Sequence, residues 1–153
     1  MIVDDAPRAM QRHARVISAL CIALVLVALV EQVWEVMIAF GVFGGEGDEL
    51  NPWIGIALGF LSSAALGIDA IVVGVRRHRG YGPSIKNLAP GGWATFGSMM
   101  WVLAVPVYFL GARRRALRGD DEGEREPMTI GGWVAIAVPF AIGLFATFAA
   151  LIT

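Results

Sequence analysis

The sequence has little of what metal, thiol or acid–base catalysis needs. It contains one cysteine, Cys21, and two histidines, His13 and His78, far apart along the chain. No zinc, haem or iron–sulfur ligand cluster assembles from such positions, so no metal and no cofactor are expected. Cys21 falls in an apolar run and reads as a small packed hydrophobe. Both histidines stand among arginines in polar segments, which leaves Ser-His-Asp or Cys-His catalysis without a base inside the apolar part of the chain. The glycine pairs Gly91-Gly92 and Gly131-Gly132 have neither the lysine nor the preceding strand of a phosphate-binding loop. An enzyme is therefore not expected. Charge is also scarce: 16% of residues are charged and 57% hydrophobic, with a mean hydropathy of +0.67, which excludes a water-soluble domain. The net charge of −1 offers no case for nucleic acid.

What is present is apolar length. Residues 16–43, 53–75, 92–112 and 131–152 form four stretches whose charged side chains are only Glu31, Glu35 and Asp69. About 20 apolar residues cross a bilayer core, so each stretch suffices alone. The expected fold class is all-α: a polytopic helical membrane protein, a four-helix transmembrane bundle forming a single membrane domain over 1–153. Arg8, Arg12 and Arg15 before the run Val16 to Val30 imitate a secretory signal. Apolar sequence resumes through Val33, Trp34, Val36 and Phe40 with no A-x-A site, which predicts a retained first span. No lipidation box is read.

Residues 1–15 are polar and read as frayed or interfacial. The connection Gly44 to Asn51 is short and acidic, and Pro52 suits the first turn of the next helix. That second helix carries Gly55, Gly59, Ser63 and Gly67 at intervals of four, a stripe of small residues of the kind that lets helices approach closely in lipid. It is expected at the centre of the bundle, with its stripe used inside the chain or between subunits. Arg76-Arg77-His78-Arg79 closes it at a membrane boundary. Pro106 predicts a kink in the third segment. The link from Arg113 to Met128, basic and then acidic, reads as a solvated loop.

Lys and Arg favour the cytoplasmic side, and they number three before the first span, none in the first connection, four in the second and five in the third. Four crossings would divide them between both sides. A third segment that enters and leaves on one face would collect all twelve on that face. Twenty apolar residues are enough for a span, and a lone proline does not fold a helix back without partners for the freed backbone groups. Four crossings are expected, with a re-entrant third segment as the alternative and the N-terminus cytoplasmic.

Within 90–113 the pattern Pro90-x-x-Trp93, Trp101, Pro106-x-Tyr108 and Arg113 resembles a segment of a family of small bacterial multi-pass membrane proteins of unassigned function. The resemblance implies a bacterial inner-membrane setting and brings no activity. The residues themselves read as a headgroup anchor (Trp93), packing or interfacial aromatics (Trp101, Tyr108) and a kink (Pro106).

Glu31, Glu35 and Asp69 are the candidate functional residues, as ion or proton path positions, because a charge within a membrane is costly and faces the bundle interior or water. Glu31 and Glu35 share a helix face, where like charges repel. Asp69 lies about 10 Å inside the boundary at Arg76. No Lys or Arg lies within a span to neutralise them. They are expected to hydrogen-bond inside the bundle with Gln32, Ser62 or Ser63, to line a proton or cation path, or to pair with a cation of another protein. The expected function is non-enzymatic and works by assembly, as an accessory subunit of a membrane complex or a self-associating unit. An oligomeric cation or proton channel is the alternative. The partners are the lipid bilayer and other membrane subunits or copies of the chain. No inverted repeat suggests a transporter.

Overall fold

In the structure, a computed structural model, residues 5–41, 51–75, 77, 87–119 and 127–153 are described. The acidic connection 44–50, the basic cluster at 76–79 apart from Arg77, and the acidic half of the 113–128 link lie outside them. The described elements are helices: α1 (Asp5–Ala39), α2 (Pro52–Val73), α3 (Pro90–Val107), a π-helical turn (Tyr108–Arg113), α4 (Arg114–Arg118) and α5 (Ile130–Ile152). Four helical stretches are long and apolar enough to cross a membrane: Gln11–Ala39, Pro52–Val73, Pro90–Arg118 and Ile130–Ile152.

α1 begins at Asp5, well before the expected boundary at residue 16. Its early residues include Ala, Arg, Met and Gln, good helix formers, and Pro7 falls in the first turn, where its missing N–H removes no helical bond. α2 opens at the Asn51 cap, whose side chain accepts from the Trp53 N–H at 3.0 Å, and closes on Gly74 at φ 83°. The same Asn51 donates to the Thr153 hydroxyl at 2.9 Å and so ties the start of α2 to the end of α5.

α2 is the central helix. It packs on α1, α3 and α5, and half of its apolar window is buried, against 28%, 22% and 28% in the other three stretches. Its neighbours fix the directions of the chain. Along α1, Ser18 meets Asp69 and Glu31 meets Gly55, so α1 and α2 are antiparallel. Along α5, Ile136 lies against Gly67, Gly143 against Leu61 and Thr153 against Asn51, again antiparallel.

The third segment does both. Ala94 lies against Gly67 and Gly97 against Ser63, which is antiparallel to α2. Further on, Trp101 bonds Ser62 and Tyr108 bonds Asp69, which is parallel to α2. The chain therefore reverses between Gly97 and Trp101, and it does so at Met100, whose φ −142° and ψ 55° are not helical. Ser98 and Thr95 already divert side-chain hydrogen bonds to the Ala94 and Gly91 carbonyls, which loosens the preceding turns. Trp93 and Tyr108 consequently stack edge to face with centroids 5.1 Å apart. The third segment is a helical hairpin whose tip, beside Ser62 and Ser63, lies about 15 Å from the end of α2 at 1.5 Å per residue.

A segment folded back in this way is the arrangement that the charge count favoured, where a single kinked helix was the first expectation. The bend expected at Pro106 is found at Met100 instead. Pro106 stands early in the returning arm, where it withdraws one donor without stopping the helix. The expected loop from Arg113 is helical as far as Arg118.

The bundle thus has a basic end, at which α1 begins, α2 ends, both hairpin arms stand and α5 begins. The described basic residues, Arg12, Arg15, Arg77, Arg113, Arg114, Arg115 and Arg118, stand on the elements there. At the opposite, acidic end α1 finishes, α2 starts and α5 finishes.

Candidate functional site

Asp69 is 1% exposed, in the inner turns of α2 near the basic end. Carboxylates survive at such depth only with partners. Three side chains from two other elements supply them. The Ser18 hydroxyl of α1 donates to Oδ1. The Tyr108 hydroxyl donates to Oδ2 at 2.7 Å, and Arg113 Nε donates to the same oxygen at 2.9 Å. Arg113 Nη2 also donates to Ser18 Oγ at 3.2 Å, closing a ring through Arg113, Asp69 and Ser18. Guanidinium suits this place because its planar fork serves two acceptors at once and it sheds water more readily than an ammonium. Its Cζ lies 5.7 Å from the Phe109 ring centre.

The returning arm is shaped for this contact. In a regular α-helix, residues five apart diverge by about 140° at 3.6 residues per turn. The π-helical turn over Tyr108–Arg113 brings both side chains round to Asp69. Trp93, 0% exposed, covers Tyr108 from the entering arm, so the hairpin closes on itself over the carboxylate. The expectation of Trp93 as a headgroup anchor is corrected: the hairpin carries it inside, where its indole N–H has no partner. Trp101 donates to Ser62 Oγ at 2.6 Å and pins the tip to α2.

The expectation that no basic residue neutralises Asp69 within the chain is likewise corrected by Arg113. Ser62 and Ser63, offered as carboxylate partners, instead donate to the Gly59 carbonyl at 3.0 and 2.7 Å. Sequence reading missed Ser18, Tyr108 and Arg113 as one group. The available signal was the P-x-Y and closing Arg spacing, but a regular α-helix would not turn Tyr108 and Arg113 to one side.

Glu31 and Glu35 are not brought to Asp69. Ser18 and Glu31 are about 20 Å apart along α1. Glu31 is 9% exposed, packed against Gly55 in the acidic half. Gln32 Nε2 donates to its Oε2 at 3.0 Å, and its Oε1 is buried without a partner. Glu35 is exposed and lines a cleft with Gln32, Pro52, Gly55 and Ile56. Of the small-residue stripe, Gly67 is filled by Ile136 and Ala94 and Ser63 by Gly97, whereas a Cβ at Gly59 would meet nothing within 4 Å. The hairpin stops short of it. Below the tip remains a hollow of about 250 Å³ lined by Gly55, Ile56, Gly59, Phe60, Gly97, Ser98 and Trp101.

Among the described residues no three His, Cys, Asp or Glu side chains gather to hold a metal ion. Comparison with protein-family models, curated proteins and solved structures gives no match.

Proposed function

We propose that the chain is a non-enzymatic multi-pass membrane protein that acts by assembly, as an accessory subunit of a membrane complex or a self-associating unit. The observation that carries the reading is the uneven cover of α2. Within its small-residue stripe Ser63 and Gly67 are covered by the hairpin and α5 and Gly55 by Glu31, while Gly59 stands open in a hollow under the hairpin tip. Small residues on an uncovered face are the means by which helices associate in lipid. The gathering of the described basic residues, Arg12, Arg15, Arg77, Arg113, Arg114, Arg115 and Arg118, at one end supports a bacterial inner-membrane setting with that end, and the N-terminus, in the cytoplasm.

An oligomeric cation or proton channel is supported less. It would place Glu31, Glu35 and Asp69 along water, whereas Asp69 is enclosed by three donors and stands far from the two glutamates. The test is the native mass of the protein extracted in a lipid particle from its host. A mass above that of one chain, from copies or from other subunits, is expected. A single-chain mass overturns the reading.

A further inference from the structure

The returning arm of the hairpin has two sides. Tyr108 and Ala112 are buried in the bundle, whereas Pro106, Leu110, Arg114 and Arg118 are exposed. On the exposed side runs a groove of about 580 Å³, lined first by Pro106, Val107, Leu110 and Gly111 and then by Arg114, Arg115 and Arg118. Gly111 leaves it open, because a Cβ there would meet nothing within 4 Å. The lining is therefore apolar along one half and cationic along the other.

The order of the halves follows from the direction of the arm. It runs from the tip at Trp101, beside Ser62, to the basic end, so the apolar half lies deeper in the bundle and the arginines stand at its boundary. From Pro106 to Arg118 is about 18 Å at 1.5 Å per residue. A phospholipid in the adjoining leaflet has the same order, with its phosphate at the boundary and its chains directed inwards. Guanidinium groups pair their N–H donors with phosphate oxygens, and basic pockets on the cytoplasmic side of helical bundles take anionic headgroups. A free anion would leave the apolar half unused.

We infer that this groove seats an anionic phospholipid, with its phosphate at Arg114 and Arg118 and an acyl chain along Val107, Leu110 and Gly111. Arg113, bonded to Asp69, holds the arm in place from its other side. The groove shares no residue with the Gly59 hollow, so the inference stands apart from the assembly reading.

The experiment counts lipids retained by the full chain in native mass spectrometry, from micelles holding equal amounts of phosphatidylglycerol and phosphatidylcholine. The native chain is expected to retain phosphatidylglycerol in preference, and the double variant Arg114→Gln, Arg118→Gln to lower that preference about tenfold or more. Gly111→Phe fills the groove with every arginine present and is expected to lower it as well; if that variant fails to accumulate, Gly111→Leu serves in its place. Arg12→Gln with Arg15→Gln removes the same charge from the same end, outside the groove, and is expected to leave the preference intact. Equal retention of the two lipids by the native chain, as neutralisation of the arginines by the acidic run 120–126 would give, overturns the inference. So does a preference indifferent to Gly111→Phe or lost equally in the Arg12 and Arg15 pair, either of which would reduce the effect to diffuse attraction by the basic end.

Discussion

Arg113 and Asp69 meet through an Nε to Oδ2 hydrogen bond of 2.9 Å, joining the returning arm of the hairpin to the centre of the bundle. The arginine side chain is 19% exposed and the aspartate 2%, so the pair is anchored in protein at one end and reaches towards the basic boundary at the other. Removing one member strands the other. Arg113→Ala is expected to cost about 3 kcal/mol or more of stability, measured by unfolding in mixed micelles. The double variant Asp69→Asn, Arg113→Gln removes both charges and is expected to recover much of that loss. Additive losses would show that the two residues act independently.

Tyr108 contributes a hydroxyl and a ring, which can be separated. Tyr108→Phe keeps the edge-to-face contact with Trp93 and deletes the donor to Asp69, at an expected cost of about 1.5–3 kcal/mol for a hydrogen bond to a charged group. Comparable unfolding curves for Tyr108→Phe and the native chain would remove the hydroxyl from the network.

The glycines of α2 give opposite expectations. A Cβ at Gly67 would fall 2.8 Å from Ile136 Cγ1, so Gly67→Ala forces α5 to shift and lowers stability. Gly59→Ala meets nothing within the chain and gains up to about 1 kcal/mol of helix propensity. The isolated protein is therefore expected to tolerate Gly59→Ala. Gly59→Leu fills the hollow and is expected to lower the native mass in membranes while leaving monomer stability intact.

The carboxylates separate assembly from conduction. Flux in reconstituted vesicles is expected to be no greater with the native chain than with Asp69→Asn or Glu31→Gln. Native flux abolished by either change in a folded variant would favour the channel.

Much of the architecture was legible in composition, because apolar runs of 20 residues and their bounding charges follow directly from bilayer thickness. The central place of α2 was legible in its stripe at intervals of four. The hairpin was visible only as a conflict between length and charge. Length prevailed in the reading because the partners that satisfy the bend, Ser62 for Trp101 and Asp69 for Tyr108, are distant in sequence. The site was half legible: Asp69 stood out by its charge, but Arg113 looked like the start of a solvated loop and Tyr108 like an interfacial aromatic. Their union depends on a π turn, a local widening of the helix for which no side-chain pattern is diagnostic. Glu31 was found by the same rule as Asp69, and Gln32, offered as its neutral partner, is the residue that bonds it.

The most direct measurement of the hairpin is cysteine accessibility from each side of the membrane. In a Cys21→Ala background, single cysteines replace Ala89 and Leu117, at the two exposed ends of the hairpin, and Thr153 at the end of α5. A membrane-impermeant maleimide is predicted to label Ala89→Cys and Leu117→Cys from one side and Thr153→Cys from the other. Labelling of Ala89→Cys and Leu117→Cys from opposite sides would contradict the hairpin and restore a third crossing.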